Sequence, residues 1–447
     1  MLDNKDALNL DLSKFKKIHF IGITSAFNSF CANYLIEQGY TITASEFHQD
    51  SDEAKEWIKR GILYPGGHNA KYITDDVDLV IIPNGPIPGN PECEETEKRN
   101  LTAITISQLT GIISKNFKVI AIAGTHGKTT TSSLIAWMLF KETDIKPNFI
   151  IGDVILGWNQ SWNYNPKSEY LVIEACEYKK QFLCRAPQPD IVALTNIDLD
   201  HTDIFPTQEE YNDAFAEFIS TAKTVVLDSK GNNIQDIVNR SNKKFNILDI
   251  SDIRDKYKDV KSSLIGKYNH ENILRACGVA EILEIKPQLE DFPGVNFRFQ
   301  YMGKTVNNMP AYSDYAHNPE KIEACLGGVK ETYPDKKILL VWEPHSFERT
   351  YTFKDAFIEN LKLADTILIP QIYAPLREKD RFKDLISEKS FVEDIKKEYP
   401  QKDVRYTESF EKTANIVKNS KFNDDYISIF ASAGQLKEIF KMIDLEK

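Results

Sequence analysis

The chain has 447 residues, of which 42% are hydrophobic and 27% are charged, and its formal net charge is −11. This composition is ordinary for a globular protein of about three domains, and the acidic balance argues against a nucleic-acid binder, which needs a basic face. The N-terminus has no signal-peptide core, no apolar run approaches the ~18 residues of a membrane span, and scattered cysteines favour unpaired thiols. We therefore expect a cytoplasmic protein that neither binds nucleic acid nor inserts into a membrane.

The first part of the chain alternates short apolar strands with helical segments. A helix is predicted at 29–38, directly after the first strand. The predicted strands cover 17–23, 41–44, 78–82 and 102–106. Such alternation is typical of a parallel α/β sheet. Because the stretch at 114–117 is polar, we predict that a Rossmann-like domain spans residues 1–115.

A strand, a glycine turn and a helix follow in the sequence KVIAIAGTHGKTTT. The apolar strand enters a turn with glycines at Gly124 and Gly127, and Lys128 and Thr129 open the helix. Glycine permits close backbone approach, helix N-termini attract anions, and lysine and threonine can serve phosphate and Mg²⁺. The strict pattern G-x-x-x-x-G-K-[ST] fails at its first position, Ile122. A phosphate-binding loop is therefore predicted, with a glycine turn beside a solvated lysine as the alternative.

Polar residues follow two further strands of this second part, predicted at 169–173 and 190–194. Glu174 follows the first strand, and His201 lies beyond the second. Ligands bind at the carboxyl ends of strands in open α/β sheets, and carboxylate and imidazole groups near phosphates suit Mg²⁺. A solvated carboxylate and a structural histidine are the alternatives. With the Pro-Gly turn after Phe292, we predict a central P-loop ATPase-like domain over 116–291.

The last part of the chain is predicted to be a Rossmann-like α/β domain over residues 292–447. Its strands are predicted at 311–315, 337–342, 365–369 and 426–430. Asp314, Tyr315 and His317 stand at the end of the first strand, and His345 and Arg349 follow the second. Arginine and histidine at strand ends suit a carboxylate or a developing phosphate charge. Surface residues at a helix N-terminus are the alternative interpretation.

Six motifs occur together along the chain: AGTHGKTTT, EACEY, TNIDLDH, GKYNHEN, SDYAHNP and EPHSFERT. In order and spacing they resemble the Mur ligases, ATP-dependent enzymes that build the peptide stem of peptidoglycan. The resemblance implies an amide ligase that uses ATP and Mg²⁺ and activates a carboxylate as an acyl phosphate. The branch that joins L-alanine to UDP-N-acetylmuramate is the expected one. A tripeptide-adding recycling ligase, or a divergent or non-catalytic paralogue, is the alternative.

The resemblance also implies roles for individual residues. Catalytic roles would fall to Lys128, Glu174, His201, His345 and Arg349, with Thr129, Glu174 and His201 as metal ligands. ATP would contact Gly124, Thr125, His126, Gly127, Lys128, Thr129, Thr130, Asn269, Asn272, Arg298 and Asp314. The amino acid would contact Tyr315, His317, His345 and Arg349. The nucleotide sugar would contact Gly22, Ile23, Glu46, His68 and Asn90.

Several positions separate the branches of the family. Phe215 stands where later-acting ligases carry a carbamylated lysine, which favours the alanine-adding or tripeptide-adding branch. His68 and Asn90 fit the former, whereas Phe27 and Trp137 fit the latter. The first-domain loop reads GITSAFNSF instead of the family's glycine-rich sequence, and serine replaces one arginine in PHSFERT. A monomer or weak homodimer is expected.

Overall fold

The computed structural model describes residues 2–85, 87–201, 204–242, 245–375, 382–419 and 421–446. Over these residues the strands form three sheets of four, seven and six strands, interleaved with helices. This architecture confirms the predicted α/β class. The chain divides into two units, Met1–Lys261 with Asn272–Pro293 and Ser262–Glu271 with Gly294–Lys447. The three-domain boundaries stay predictions, because the first unit contains two of the sheets.

The first sheet is parallel, with strand order β2-β1-β3-β4. Its strands are β1 (Lys17–Ile21), β2 (Thr41–Ser45), β3 (Leu79–Ile82) and β4 (Thr102–Thr105). The helices are α1 (Asn4–Leu8), α2 (Ala26–Glu37), α3 (Asp52–Lys59), α4 (Pro91–Lys98) and α5 (Ile106–Ser114). Helix α2 begins after Ser25, whose side chain accepts a hydrogen bond from the Asn28 amide and so caps the helix. The chain therefore becomes helical three residues before the predicted start.

The second sheet has the order β11-β10-β9-β5-β8-β6-β7 and is parallel except for the β6–β7 hairpin. Its strands are β5 (Lys118–Ala123), β6 (Asn148–Ile155), β7 (Gln160–Asn163), β8 (Tyr170–Glu174), β9 (Ile191–Leu194), β10 (Thr224–Leu227) and β11 (Asn246–Asp249). Its helices are α6 (Lys128–Thr143), α7 (Gln181–Arg185), α8 (Gln208–Ile219), α9 (Ile234–Arg240), α10 (Ile250–Tyr257) and α11 (Lys267–Leu283). The central strand β5 is buried from its second residue onward, as a run of apolar residues in a covered sheet requires.

The third sheet has the order β12-β13-β17-β14-β15-β16, with β12 as its antiparallel edge strand. Its strands are β12 (Gln300–Lys304), β13 (Pro310–Asp314), β14 (Lys337–Glu343), β15 (Thr366–Ile369), β16 (Asp403–Tyr406) and β17 (Tyr426–Ser432). Its helices are α12 (Pro319–Thr332), α13 (Phe347–Thr352), α14 (Lys354–Asn360), α15 (Glu388–Glu398) and α16 (Phe410–Val417). Trp342 of β14 packs on Phe357 and Phe391, and its ring centroid lies 4.8 Å from that of Phe357 and 5.9 Å from that of Phe391.

The strand ends differ slightly from the sequence prediction. Glu174 is the last residue of β8 rather than the first residue beyond it, and β13 ends at Asp314, one residue before the predicted end. Both still lie at the carboxyl ends of their strands, where open α/β sheets hold ligands. Across the described ranges, none of the helices combines the length and the apolar character needed to cross a bilayer.

Candidate active site

A glycine turn joins β5 to α6 at the carboxyl end of the second sheet. Gly124 and Gly127 have φ angles of 128° and 82°, which favour glycine. A Cβ on Gly127 would lie 2.3 Å from the Asn272 side-chain oxygen, so a larger residue does not fit. Helix α6 has no side-chain cap in the described structure. The amides of its first turn therefore present positive partial charge, which suits an anion such as a phosphate.

Asn196, which follows β9, holds the shape of this turn. Its backbone oxygen accepts a hydrogen bond of 2.8 Å from the Thr125 amide, and its side-chain oxygen accepts one of 2.7 Å from the His126 amide. The Thr125 hydroxyl donates to the Asp198 carbonyl oxygen over 2.7 Å. Thr130, in the first turn of α6, is buried. The amides of Thr125 and His126 thus donate to Asn196 and stabilise the conformation of the turn.

Lys128 folds back over the turn that it follows. Its Nζ donates to the carbonyl oxygens of Gly124 and Thr125 over 2.5 and 3.2 Å and lies 3.0 Å from a carboxylate oxygen of Glu177. Burial is the largest single influence and acts to lower the pKa of Lys128, but the negative charge and hydrogen bond of Glu177, together with Cys176 and Glu174, raise the pKa above its ordinary value. The ammonium group therefore stays charged at the place where the turn offers an anion site.

Glu177 organises this site and is not among the residues that the motifs predict. It is only 1% exposed, and its second carboxylate oxygen lies 3.5 Å from Nε2 of His201. Burial would raise the pKa of Glu177, but the Lys128 charge and the His201 hydrogen bond lower it to about 2. The hydrogen bond to Glu177 in turn raises the pKa of His201. A buried anion thus joins the lysine of the turn to the histidine of TNIDLDH.

Thr129 and Glu174 provide the oxygen donors expected of a magnesium site. The Thr129 hydroxyl donates to a carboxylate oxygen of Glu174 over 2.9 Å, and the Gly152 amide donates to the same oxygen over 2.8 Å. Among the described residues, no group of three or more His, Cys, Asp or Glu side chains forms a metal site. Hydroxyl and carboxylate oxygens nevertheless suit Mg²⁺, which takes its other ligands from water and phosphate. The donor set fits the ion, and the predicted metal role of His201 stays a prediction.

An arginine outside the predicted set lies between the first two sheets. The Arg185 guanidinium is centred 3.8 Å from the Phe27 ring centroid, and its Nε donates to the Ser107 hydroxyl over 3.2 Å. The residue is 7% exposed, and within the described ranges no carboxylate forms an ion pair with it. Burial lowers the pKa of Arg185, yet an arginine stays charged in proteins. A buried unpaired guanidinium is costly and suits a bidentate anion.

The residues predicted to contact a nucleotide sugar lie near the carboxyl ends of β1, β2 and β3. Glu46 accepts hydrogen bonds from the amides of Ile23 and Thr24 over 3.1 and 3.2 Å, after Gly22 has turned the chain at a φ of 85°. The Asn90 side chain caps α4. The amides of Ile23 and Thr24 are thus satisfied by Glu46, so they are not open to a diphosphate as the amides of a glycine-rich loop would be.

In the second unit, Asp314 and Arg298 lie close together at the end of β13. A carboxylate oxygen of Asp314 accepts a hydrogen bond of 2.8 Å from the Phe299 amide. The Arg298 guanidinium is centred 4.5 Å from the Tyr315 ring centroid. Burial raises the pKa of Asp314, and the Arg298 charge only partly opposes it. Asn269, which is buried, donates to the Ile265 carbonyl oxygen over 2.8 Å.

His317, His345 and Arg349 form a second group in this unit. The two imidazole rings lie 5.9 Å apart, and Nδ1 of His345 is buried without a hydrogen-bond partner in the described structure. Burial lowers the pKa of both histidines, and the Arg349 charge adds to the effect, so both are neutral near pH 7. Within the described ranges, no carboxylate pairs with Arg349. A guanidinium beside neutral imidazoles can bind a carboxylate.

For the amino-acid site that the motifs predict, we expect Arg349→Ala to raise the KM for that substrate at least 10-fold while kcat changes less than 3-fold. The loss of a charge-assisted hydrogen bond is worth about 1.5–3 kcal/mol. Steady-state kinetics with the amino acid varied provide the measurement. Arg405→Ala, which removes an arginine paired with Asp403 in the same unit, is the control. An unchanged KM in the Arg349 variant would remove this residue from the binding site.

Two family models match most of the chain. Residues 122–252 match the Mur ligase middle domain, and residues 297–433 match the Mur ligase, glutamate ligase domain. The chain belongs to the Mur ligase family. Members of this family are ATP-dependent ligases, which confirms the enzyme class and the family predicted from the motifs.

Relatives of this Mur ligase match it over nearly its whole length. A UDP-N-acetylmuramate--L-alanine ligase of Caldanaerobacter subterraneus is 31% identical, over 97% of this chain and 98% of the relative. The enzyme of that name from Clostridium acetobutylicum is 32% identical over the same shares. Among solved structures, the UDP-N-acetylmuramate-alanine ligase of Thermotoga maritima aligns at a TM-score of 0.69 and 20% identity, over 95% of this chain and 97% of that one. A murein peptide ligase from Psychrobacter arcticus aligns at a TM-score of 0.61 and 21% identity, over 95% of this chain and 97% of that one. The structural likenesses support the fold.

Proposed function

We propose that this Mur ligase joins L-alanine to the lactyl carboxylate of UDP-N-acetylmuramate, with conversion of ATP to ADP and phosphate. The observation that carries the ligase chemistry is the pairing of Lys128 with buried Glu177 on an uncapped glycine turn. The identity of the substrates is supported by the full-length relatives that bear the name UDP-N-acetylmuramate--L-alanine ligase. An alanine-adding reaction is therefore the function that the chain supports best.

The reaction couples two substitutions. The lactyl carboxylate attacks the γ-phosphorus, so that a carboxyl O–P bond forms while the bond to the ADP oxygen breaks. The uncharged amino group then attacks the carbonyl carbon of this acyl phosphate, the C–O bond to phosphate breaks, and the nitrogen loses a proton as the amide forms. Lys128 and the first-turn amides of α6 would hold the phosphates in line, which is most of what such catalysis requires.

Thr129 and Glu174 would hold a magnesium ion beside these phosphates. When bound, the ion supplies positive charge that neutralises the phosphate oxygens during transfer. Glu177 would keep the Lys128 ammonium group charged and in place, and His201 would share the Glu177 carboxylate. The chain's own contribution at this centre is thus a fixed arrangement of charge.

The substrates would be distributed over the three predicted domains. The nucleotide sugar would bind to the first domain, residues 1–115, and ATP to the central domain, residues 116–291. The C-terminal domain, residues 292–447, would supply the amino-acid site. Asn269, Asn272, Arg298 and Asp314 would serve the nucleoside part of ATP, and Tyr315, His317, His345 and Arg349 the amino acid. The enzyme would act in the cytoplasm as a monomer or weak homodimer.

A competition assay tests the choice of amine. The enzyme is supplied with ATP, UDP-N-acetylmuramate and an equimolar mixture of L-alanine, glycine, L-serine and the cell-wall tripeptide, and the products are resolved by mass spectrometry. We expect the L-alanine adduct to dominate. A tripeptide adduct as the main product would favour the recycling reaction, and the absence of any adduct would refute the proposed function.

We expect Arg185→Lys to raise the KM for UDP-N-acetylmuramate at least 10-fold and to leave the KM for ATP within 2-fold. Lysine keeps the charge but cannot form the paired hydrogen bonds of a guanidinium with an acidic group. Arg60→Lys is a matched control, because Arg60 also lies over an aromatic ring, 4.2 Å from the Trp57 centroid. Equal effects of the two substitutions on the KM would contradict a substrate role for Arg185.

A further inference from the structure

A buried hydrogen-bond network links β1, β2 and α4 of the first sheet. Nε2 of His19 lies 3.3 Å from a carboxylate oxygen of Glu92, and its Nδ1 lies 2.9 Å from the Thr43 hydroxyl. The same Glu92 oxygen accepts from the Ser45 hydroxyl over 2.5 Å. The Ser45 oxygen lies 2.7 Å from Nδ1 of His68. His19, Ser45 and Glu92 are each 0% exposed, so no water competes for these contacts.

The donors and acceptors of this network can be assigned one by one. Burial would raise the pKa of Glu92, but hydrogen bonds from His19 and Ser45 and the nearby imidazole of His68, whose Nδ1 lies 3.7 Å away, lower it to about 2, so the carboxylate only accepts. The single Ser45 hydrogen must then point to Glu92. The Ser45 oxygen can therefore only accept from His68, which requires a proton on Nδ1 of that imidazole.

This assignment determines what the other ring nitrogen of His68 can do. Nε2 of His68 makes no hydrogen bond within the described structure, and the side chain is 15% exposed. When the ring is neutral, a proton on Nδ1 leaves a lone pair on Nε2, which is the less common tautomer of an imidazole in water. Phe47 stacks on the same ring at 6.4 Å and is 70% exposed. An acceptor atom and an exposed aromatic face thus stand side by side just beyond β2.

We propose that Glu92, acting through Ser45, is a positioning residue that holds His68 in the Nδ1–H tautomer. The Nε2 lone pair of His68 then accepts a hydrogen bond from an N–H or O–H group at the nucleoside end of the acid substrate. The identity of that substrate rests on the proposed function. The tautomer itself does not depend on it, because the network consists of protein groups alone.

Nitrogen NMR of the full-length enzyme tests the tautomer. Protein labelled with ¹⁵N-histidine is recorded near pH 8.5, about two units above the ordinary imidazole pKa of about 6.5, and the His68 signals are identified by their loss in His68→Gln. We expect a pyrrole-type shift at Nδ1 and a pyridine-type shift at Nε2. The opposite pattern in the wild-type enzyme would overturn the proposal, and only His68→Gln, which serves to assign the signals, needs to fold for that result.

Glu92→Gln tests whether Glu92, acting through Ser45, determines which ring nitrogen of His68 carries the proton. The amide group that this substitution introduces would donate to Ser45, Ser45 would donate to Nδ1 of His68, and the proton of His68 would move to Nε2. We expect the His68 shifts to exchange and the KM for UDP-N-acetylmuramate to rise at least 10-fold, with kcat within 3-fold. Thr43→Val, which alters only the His19 end of the network, is the control and should leave His68 unchanged.

The tautomer of His68 and its contact with the substrate can be refuted separately. Unchanged His68 shifts in Glu92→Gln would overturn the positioning role of Glu92. Exchanged shifts with an unaltered KM would overturn the substrate contact. An enzyme that ligates L-alanine normally but carries the Nε2–H tautomer would overturn this inference and leave the proposed function intact.

Discussion

A Lys128→Ala enzyme is expected to lose at least 10²-fold in kcat/KM, whichever substrate is varied. Removal of one preorganised charge contact at a transition state costs about 3–4 kcal/mol, and Lys128 is the cation that the turn itself holds, through the carbonyl oxygens of Gly124 and Thr125. A coupled assay of ADP release measures the loss. Lys141→Ala, which removes a half-exposed lysine from the same helix and its ion pair with Asp291, should keep near-wild-type rates.

The same substitution should also destabilise the protein, and that effect must be separated from catalysis. Without Lys128, the buried Glu177 carboxylate loses its principal counter-charge, and breaking a buried pair costs about 3–5 kcal/mol. The double variant Lys128→Ala with Glu177→Gln removes the stranded charge, so we expect it to regain much of the lost stability in urea unfolding. It should stay inactive. Recovery of turnover in the double variant would contradict the phosphate role of Lys128.

Glu177→Gln alone is expected to lower kcat at least 10²-fold. Glutamine retains the shape of the side chain but not the charge that fixes the Lys128 ammonium group and the His201 ring. We also expect the pKa of His201 to fall toward its ordinary value of 6.5, because the hydrogen bond to Glu177 is the main cause of its rise. NMR titration of the imidazole provides that measurement. An unchanged His201 pKa would contradict the pairing.

The stability contributed by Lys128, Glu177 and His201 should depend on pH in two directions. The pKa of Glu177 is lowered to about 2 from 4.5, so its contribution is present above 4.5 and is lost as the pH falls toward 2. The pKa of His201 is raised from 6.5, so its contribution is complete below 6.5 and is lost as the pH rises through the folded value. Glu217→Gln, which removes only an exposed ion pair with Lys180, should retain both dependences in urea unfolding.

The elements of this fold follow from local patterns, whereas part of the candidate site does not. Strand β5, its glycine turn and α6 can be predicted because a buried apolar run, two glycines and a helical pattern are adjacent in the sequence. Glu177 pairs with Lys128 across 49 residues, and the sequence alone cannot show that the two meet. Arg185 meets Ser107 across 78 residues and escapes prediction for the same reason.

The errors at element ends also have physical causes. Ser25 supplies a side-chain cap that starts α2 early, and the apolar pattern alone does not contain that information. The β6–β7 hairpin escapes prediction because the short edge strand β7 contains Gln160, Ser161 and Asn163, which lack an apolar alternation. Edge strands need only one covered side, so their composition is weakly constrained.

The central claim is that the enzyme activates a carboxylate by phosphorylating it, and transfer of ¹⁸O tests this claim most directly. UDP-N-acetylmuramate labelled with ¹⁸O in both lactyl carboxylate oxygens is incubated with enzyme, ATP, Mg²⁺ and L-alanine. The ¹⁸O content of the released phosphate is then measured by mass spectrometry. The account predicts one ¹⁸O atom in each phosphate, because the carboxyl oxygen bonded to phosphorus leaves with it. Phosphate without ¹⁸O, or the label in AMP, would contradict it.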